Sequence, residues 1–338
     1  MVEFAIAPGS REVLNMLAEN GTLADMISAG ARILESGCGP CIGQGLSPAD
    51  GVVSLRTFNR NFPGRSGTSN DLVYLVSPET AVASVLTGRI TDPRNLPDLL
   101  GIKYPKVELP HEFTINDNMI ENPLGQAEAA KVEVLRGPTI VVPEAPPPLP
   151  EQLQGAVLIK CGDKITTDHI IPAGPFLKLR SNVPEYAKVV FNCFNEQGKP
   201  TFAQQALELK EKAIAGVIVA GKSYGQGSSR EHAALCPMYL GIRAVITKSI
   251  ERIHKANLIN FCIVPIEFAG QADYDKIKPG DRLQIDNLLE AIETSDEVKI
   301  IDKTGSFEFL GKLVFSARER EILLSAGLLN YTRKKVNE

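Results

Sequence analysis

The chain has 338 residues, 43% of them hydrophobic and 22% charged, which suits an ordinary globular protein long enough for two cored domains. Its 36 Lys and Arg against 40 Asp and Glu leave a net charge of −4, so there is no global pull toward nucleic acid or an anionic membrane. Met1-Val2-Glu3-Phe4-Ala5 lacks the basic stretch and apolar core of a signal peptide, no apolar run approaches membrane-spanning length, and only two of the six cysteines are close in sequence; the expected setting is a reducing cytoplasm with no membrane contact.

The N-terminal region begins with a helix whose cap is Ser10 and whose apolar face carries Val13, Leu14 and Leu17. A second helix follows over 22–30, ending near Gly30. Arg32-Ile33-Leu34 reads as a short strand leading to Cys38-Gly39-Pro40-Cys41. Gly39 and Pro40 make a tight turn that brings two sulfurs to one side. Three chemistries compete for that pair. Thioredoxin-type redox chemistry uses the same tetrapeptide, but usually after a tryptophan, and this chain has none. Structural zinc needs four ligands, and no second close pair of Cys or His exists. An iron–sulfur cluster takes four thiolates, or three where one iron is left open to substrate.

Arg56, Arg60 and Arg65 fall within ten residues, among Asn59, Asn61, Pro63 and Gly64. Guanidinium forks on a loop stiffened by glycine and proline suit bidentate capture of carboxylate or phosphate. A helix from Pro78 to Gly88 closes this region. Residues 102–140 are irregular, and Val141 to Pro150 is too proline-rich for a helix or a central strand; it reads as an extended connector.

The remainder alternates. Gly216–Gly221 is a buried strand, 230–240 a helix, Ala244–Thr247 a strand, 250–258 a helix and Cys262–Ile266 a strand, with Arg282–Ile285 beyond. This order implies an α/β domain with a partly parallel sheet. Gly216 to Ser223 matches a phosphate-loop pattern formally, but Val-Ile-Val-Ala between its glycines is strand, so no ATP site is expected there. The anion-binding loop falls later, over 223–229, where Gly225 and Gly227 allow N–H groups to turn inward ahead of a helix start. Ser228 there is a candidate nucleophile or base, provided that Arg230 and backbone N–H groups stabilise its alkoxide. Thr166-Thr167-Asp168-His169 offers a carboxylate and an imidazole that can tune each other. Cys161, Cys193, Cys236 and Cys262 stand singly, mostly in apolar surroundings, as core residues do.

With these residues in place, the chain resembles the aconitase family. Cys38-Gly39-Pro40-Cys41-Ile42-Gly43-Gln44 is similar to that family's paired cluster ligands, and Asn59–Arg65 to its substrate segment. Asp168-His169 with Gly174–Arg180 resembles the start of its mobile C-terminal domain, and Gly227-Ser228-Ser229-Arg230-Glu231-His232 that domain's active-site loop. The resemblance implies part of a three-layer α/β cluster-binding domain over 1–100, a linker over 101–152, and a swivelling β/β/α domain over 153–338. It implies a [4Fe-4S] cluster with Cys38 and Cys41 as two of three ligands. Ser228 would be the base, with Asp168 and His169 flanking the site. Asn59 would contact the cluster, and Arg60, Arg65, Arg180, Ser229 and Arg230 would hold a tricarboxylate such as citrate or isocitrate.

The resemblance has limits. The family's third cluster cysteine, in a Cys-Thr-Asn-Ser type motif, has no counterpart, nor do its N-terminal histidine–carboxylate pairs. The chain therefore reads as a C-terminal half, inactive without an N-terminal partner half. Ile171-Pro172 is more like the isopropylmalate isomerase small subunit, while Arg180 favours a tricarboxylate; homoaconitate is the nearest alternative substrate. Cluster-free relatives that bind RNA make RNA the other class of partner, and the net charge gives that reading no support.

Overall fold

Polar caps start the helices where the sequence places them. The Ser10 hydroxyl accepts from Val13 N at 3.2 Å and opens the helix Arg11–Glu19; Ser77 does the same for Pro78–Thr87, which Gly88 ends at φ +71°. The computed structural model describes residues 2–61, 64–106, 108, 110–141 and 143–337; Phe62 and Pro63 of the arginine-bearing segment and Val142 of the proline-rich stretch fall outside these. The chain divides into two units, 1–133 and 134–338.

The first unit holds two small parallel pairs. β1 (Ala5–Ile6) lies beside β2 (Arg32–Ile33), and β3 (Val53–Arg56) beside β4 (Leu72–Leu75) in a register from Val53↔Leu72 to Arg56↔Leu75. Prolines apart, its buried apolar side chains among the described residues are Ala31, Cys41, Ala83 and Leu96. From 102 to 133 the regular structure among the described residues is one helical turn, Gln126–Ala129.

The second unit is a mixed α/β body around a closed seven-stranded barrel. Its strands are β5 (Leu153–Cys161), β6 (Ala215–Ala220), β7 (Ile242–Thr247), β8 (Val264–Phe268), β9 (Arg282–Ile285), β10 (Glu297–Asp302) and β11 (Phe307–Lys312). β5, β6, β7 and β8 run parallel; β11 and β9 join them antiparallel, and β10 closes the ring between those two. β6 is apolar throughout, and β7 is apolar but for Arg243 and Thr247, because both their faces are covered. Val217, Val219, Ala244 and Ile246 enter one core with β8 to β11. Ile218, Ala220, Ile242 and Val245 enter the other, against Tyr186, Phe191, Phe202 and Leu258. Each large apolar side chain so buried contributes roughly 1.5–3 kcal/mol. The alternation of strand and helix identifies the parallel part. Barrel closure was not foreseen, because it depends on pairings such as Leu153↔Ile285 across more than a hundred residues.

The proline-rich stretch is not a free connector at its C-terminal end. The Nη2 of Arg243 donates to Pro147 O at 2.7 Å and to Pro148 O at 3.1 Å, and Leu149 is buried in the barrel core.

Candidate functional site

In the second unit a short segment and a glycine loop are stitched together. Gly225 N and Gln226 N both donate to Ile165 O, at 2.7 and 3.2 Å, and Thr167 N donates to Gln226 O at 2.9 Å. The helix Thr167–Ile170 is a single turn held by a reciprocal cap: Thr166 Oγ1 accepts from His169 N, and His169 Nδ1 accepts from Thr166 N, both at 3.1 Å. Because Nδ1 is an acceptor, the neutral His169 ring carries its proton on Nε2. His169 is exposed, and its ring meets the edge of Phe194 at 6.1 Å.

Arg230 joins this segment to the loop. One nitrogen, Nη1, donates to Asp168 Oδ1 at 3.0 Å and to Ile171 O at 2.7 Å; Asp168 Oδ1 also accepts from Ala173 N at 3.2 Å. The guanidinium is mostly buried, so this charge-assisted contact is shielded from water. The structure thus brings Asp168 and Arg230 together. Ser228 is half-buried and Ser229 exposed, just before the helix His232–Tyr239. Arg180 has an exposed side chain, and its carbonyl accepts from His232 Nε2 at 2.8 Å.

Beneath the loop is a residue that the sequence analysis did not single out. His254, on the helix Arg252–Asn260, is buried, and its ring lies against Gly225: a Cβ there would stand 2.2 Å from His254 Cγ, at φ +82°. Burial lowers the His254 pKa to about 4, so the ring is neutral at physiological pH. His254 stands four residues before Leu258, on the buried face of its helix, and that spacing was the available signal.

In the first unit, Gly39–Ile42 forms a tight 3₁₀ turn with Cys38 exposed before it and Cys41 buried within it. Gly43, at φ +79°, closes the turn so near Ser66 O that an added Cβ would stand 2.2 Å away. The three arginines separate in role. Arg56 is buried, hydrogen-bonds Pro40 O and stacks over Phe58 at 5.2 Å; burial pushes its guanidinium pKa down, while Cys41 and Asp71 oppose that. It braces the cysteine turn. Arg65 Nη2 donates to Cys41 Sγ at 3.3 Å. Arg60 is half-buried and Asn59 exposed. Asp71 accepts from Gly64 N at 3.1 Å and from Ser66 N at 3.3 Å, which fixes the loop from Gly64 to Asp71.

The cluster implied by the resemblance needs three protein thiolates. Cys38 and Cys41 offer two on one turn, and the remaining four cysteines belong to the second unit. Of those, Cys161 and Cys236 are buried, with burial pushing their thiols up to about 12, and burial raises Cys262 as well. Among the described residues no group of three or more His, Cys, Asp or Glu is placed to hold a metal ion. The donor set of this chain alone does not fit the complete group.

The aconitase family (aconitate hydratase) matches residues 1–88, and the aconitase C-terminal domain matches residues 180–271. The mitochondrial aconitate hydratase of Schizosaccharomyces pombe is 33% identical over 84% of this chain and 40% of its own length. The mitochondrial homocitrate dehydratase of Saccharomyces cerevisiae is 30% identical over 98% of this chain and 47% of its own length. A solved 3-isopropylmalate dehydratase of Methanocaldococcus jannaschii is 33% identical, covers 55% of this chain and 96% of its own, and has a TM-score of 0.43. The chain spans less than half the length of these curated relatives. The relatives are mitochondrial by name, which overturns the expected cytoplasmic setting. Cysteine usage separates reducing from oxidising surroundings, and it does not separate one reducing compartment from another. By both family matches, and by relatives that cover nearly all of it, the chain belongs to the aconitase family.

Proposed function

We propose that this chain serves a hydro-lyase of the aconitate hydratase type, which converts citrate to isocitrate through cis-aconitate. The observation that carries the reading is the Arg230 clamp. Nη1 is committed to Asp168 and to Ile171 O, so the guanidinium is locked two residues after Ser228. A serine on a glycine loop needs its alkoxide stabilised as it forms if it is to act as a base, and a locked cation two residues along the chain is a candidate for that part. Ser228 takes the proton from the carbon next to a carboxylate. Ser229, at the approach to a helix start, offers its N–H and hydroxyl to a carboxylate, and Arg180 offers an exposed fork. On the first unit, Asn59, Arg60 and Arg65 are read as groups suited to an anionic substrate. His169 presents an Nε2–H donor, and Asp168 holds Arg230 in place. Cys38 and Cys41 are read as two ligands of a [4Fe-4S] cluster whose third is not on this chain. These residues account for proton removal and carboxylate capture, not for departure of the hydroxyl.

A second substrate is favoured by one observation: homocitrate dehydratase matches nearly as well as the aconitate hydratases. Calorimetric titration of the chain with citrate and with homocitrate distinguishes the two. Saturable citrate binding, weakened about tenfold or more in Arg180→Lys, supports the proposal, because lysine keeps the charge and loses the bidentate match. Tighter homocitrate binding moves the assignment to the longer acid. No saturable binding of either acid sinks the reading.

A further inference from the structure

Both ring nitrogens of His254 are buried and have no hydrogen-bond partner among the described residues. An unpartnered buried imidazole is a costly way to fill space that leucine would fill without penalty. Its surroundings require a particular shape. Gly225 presses against the imidazole from one side, where a Cβ would come within 2.2 Å of Cγ, 2.3 Å of Cδ2 and 2.5 Å of Cβ. The Tyr224 ring, itself buried, meets the imidazole in an edge contact at 5.2 Å. Imidazole is the smallest flat ring among the side chains, and a phenyl ring would overfill the gap. One turn further along the same helix, Asn257 Nδ2 donates to Ser229 O at 3.5 Å. The helix Arg252–Asn260 therefore reaches the loop on both sides of Ser228.

We propose that His254 is a positioning residue for the proton-abstracting loop: a neutral, flat spacer on which Gly225 rests, and which with Asn257 sets where Ser228 stands. The proposal rests on the reading of Ser228 as the base. Burial keeps the ring uncharged, so it supports the loop without adding a field that would oppose the clamp at Arg230.

Amide hydrogen exchange on the full chain tests it. His254→Ala is expected to raise exchange across Gln226–Arg230 about tenfold while β6 and β7 stay as they are. Imidazole added to that variant refills the space and lowers the loop's exchange again. His254→Phe, which keeps a ring but lifts the loop, is expected to disturb the same amides. Should His254→Ala fail to fold, Asn257→Ala removes only the second tether and is expected to raise exchange at Ser229 and Arg230 about threefold. Unchanged loop exchange in the variants that fold overturns the proposal. So does a rise shared equally by β6 and β7 that imidazole does not reverse. A parallel titration with tricarballylate keeps the two readings apart. A wild-type chain that binds none removes the hydro-lyase assignment, and the exchange result still decides the role of His254.

Discussion

Ser228 and Ser229 are adjacent and chemically alike, yet they stand in different surroundings. Ser228 is half-buried beside Gly227, whose φ of +99° turns the chain, and Ser229 is exposed with its carbonyl tied to Asn257. In the cluster-loaded enzyme, Ser228→Ala is expected to lower kcat by a factor of about 100 or more with little change in KM, because a base acts in the transition state and not in ground-state binding. Ser229→Ala is expected to raise KM instead. Steady-state kinetics of the two variants checks this, and a Ser228→Ala enzyme with most of its turnover would place the base elsewhere. At this scale the sequence showed which chemical groups are present more clearly than what they touch. Arg56, Arg60 and Arg65 read as one anion-capturing set. The structure engages Arg56 with a backbone carbonyl and one nitrogen of Arg65 with the Cys41 sulfur. A carbonyl leaves no trace in a residue pattern, so such a partner was not legible. Asp168 and Arg230 were each legible as candidates; their contact, spanning 62 residues, was not.

Elements whose pattern is local were legible. The helix beginning after Ser10, the helix beginning after Ser77 and the largely apolar strands β6 and β7 all follow from caps and runs a few residues long. The helix Arg252–Asn260 was also legible, but the task of its buried face was not, because that depends on which glycine packs above it. That face makes a prediction about pH. The folded pKa of His254 lies at about 4, below the unfolded value near 6.5, so the unfolded chain binds the proton more readily. The stability present above pH 6.5 is therefore lost as pH falls through the window from about 6.5 to about 4, by up to about 3 kcal/mol. Urea unfolding at pH 7 and at pH 4.5 measures the loss. His254→Leu, of similar volume and without a titrating group, is expected to lose about 2 kcal/mol less between the two pH values. An identical loss in both proteins would show that the acid sensitivity comes from other groups.

At the scale of the molecule the two units differ in how much each buries. Residues 134–338 surround two extensive apolar cores, whereas the first unit buries few large apolar groups and leaves Val53, Tyr74 and Leu75 of its parallel β3–β4 pair about half exposed. Parallel strands are normally covered on both faces. A polypeptide of residues 134–338 is accordingly expected to unfold cooperatively in urea, and one of residues 1–133 to show no sharp transition; a cooperative transition in the latter would contradict this view of its core. The same contrast bears on the cluster. Cys38 and Cys41 sit in the less well-cored unit, and two thiolates leave a three-cysteine cluster short of one protein ligand. Cys161 and Cys236 are poor replacements, since burial pushes their thiols up to about 12 and a ligand must be a thiolate. Reconstitution of the full chain with iron and sulfide is therefore expected to give weak, readily lost visible absorbance and no citrate turnover. Supplying a second polypeptide that carries one accessible cysteine on an aconitase N-terminal region is expected to stabilise the absorbance and start turnover. Robust turnover by the chain alone would overturn the two-ligand assignment, and it would require a cysteine of the second unit, Cys161 among them, to complete the set.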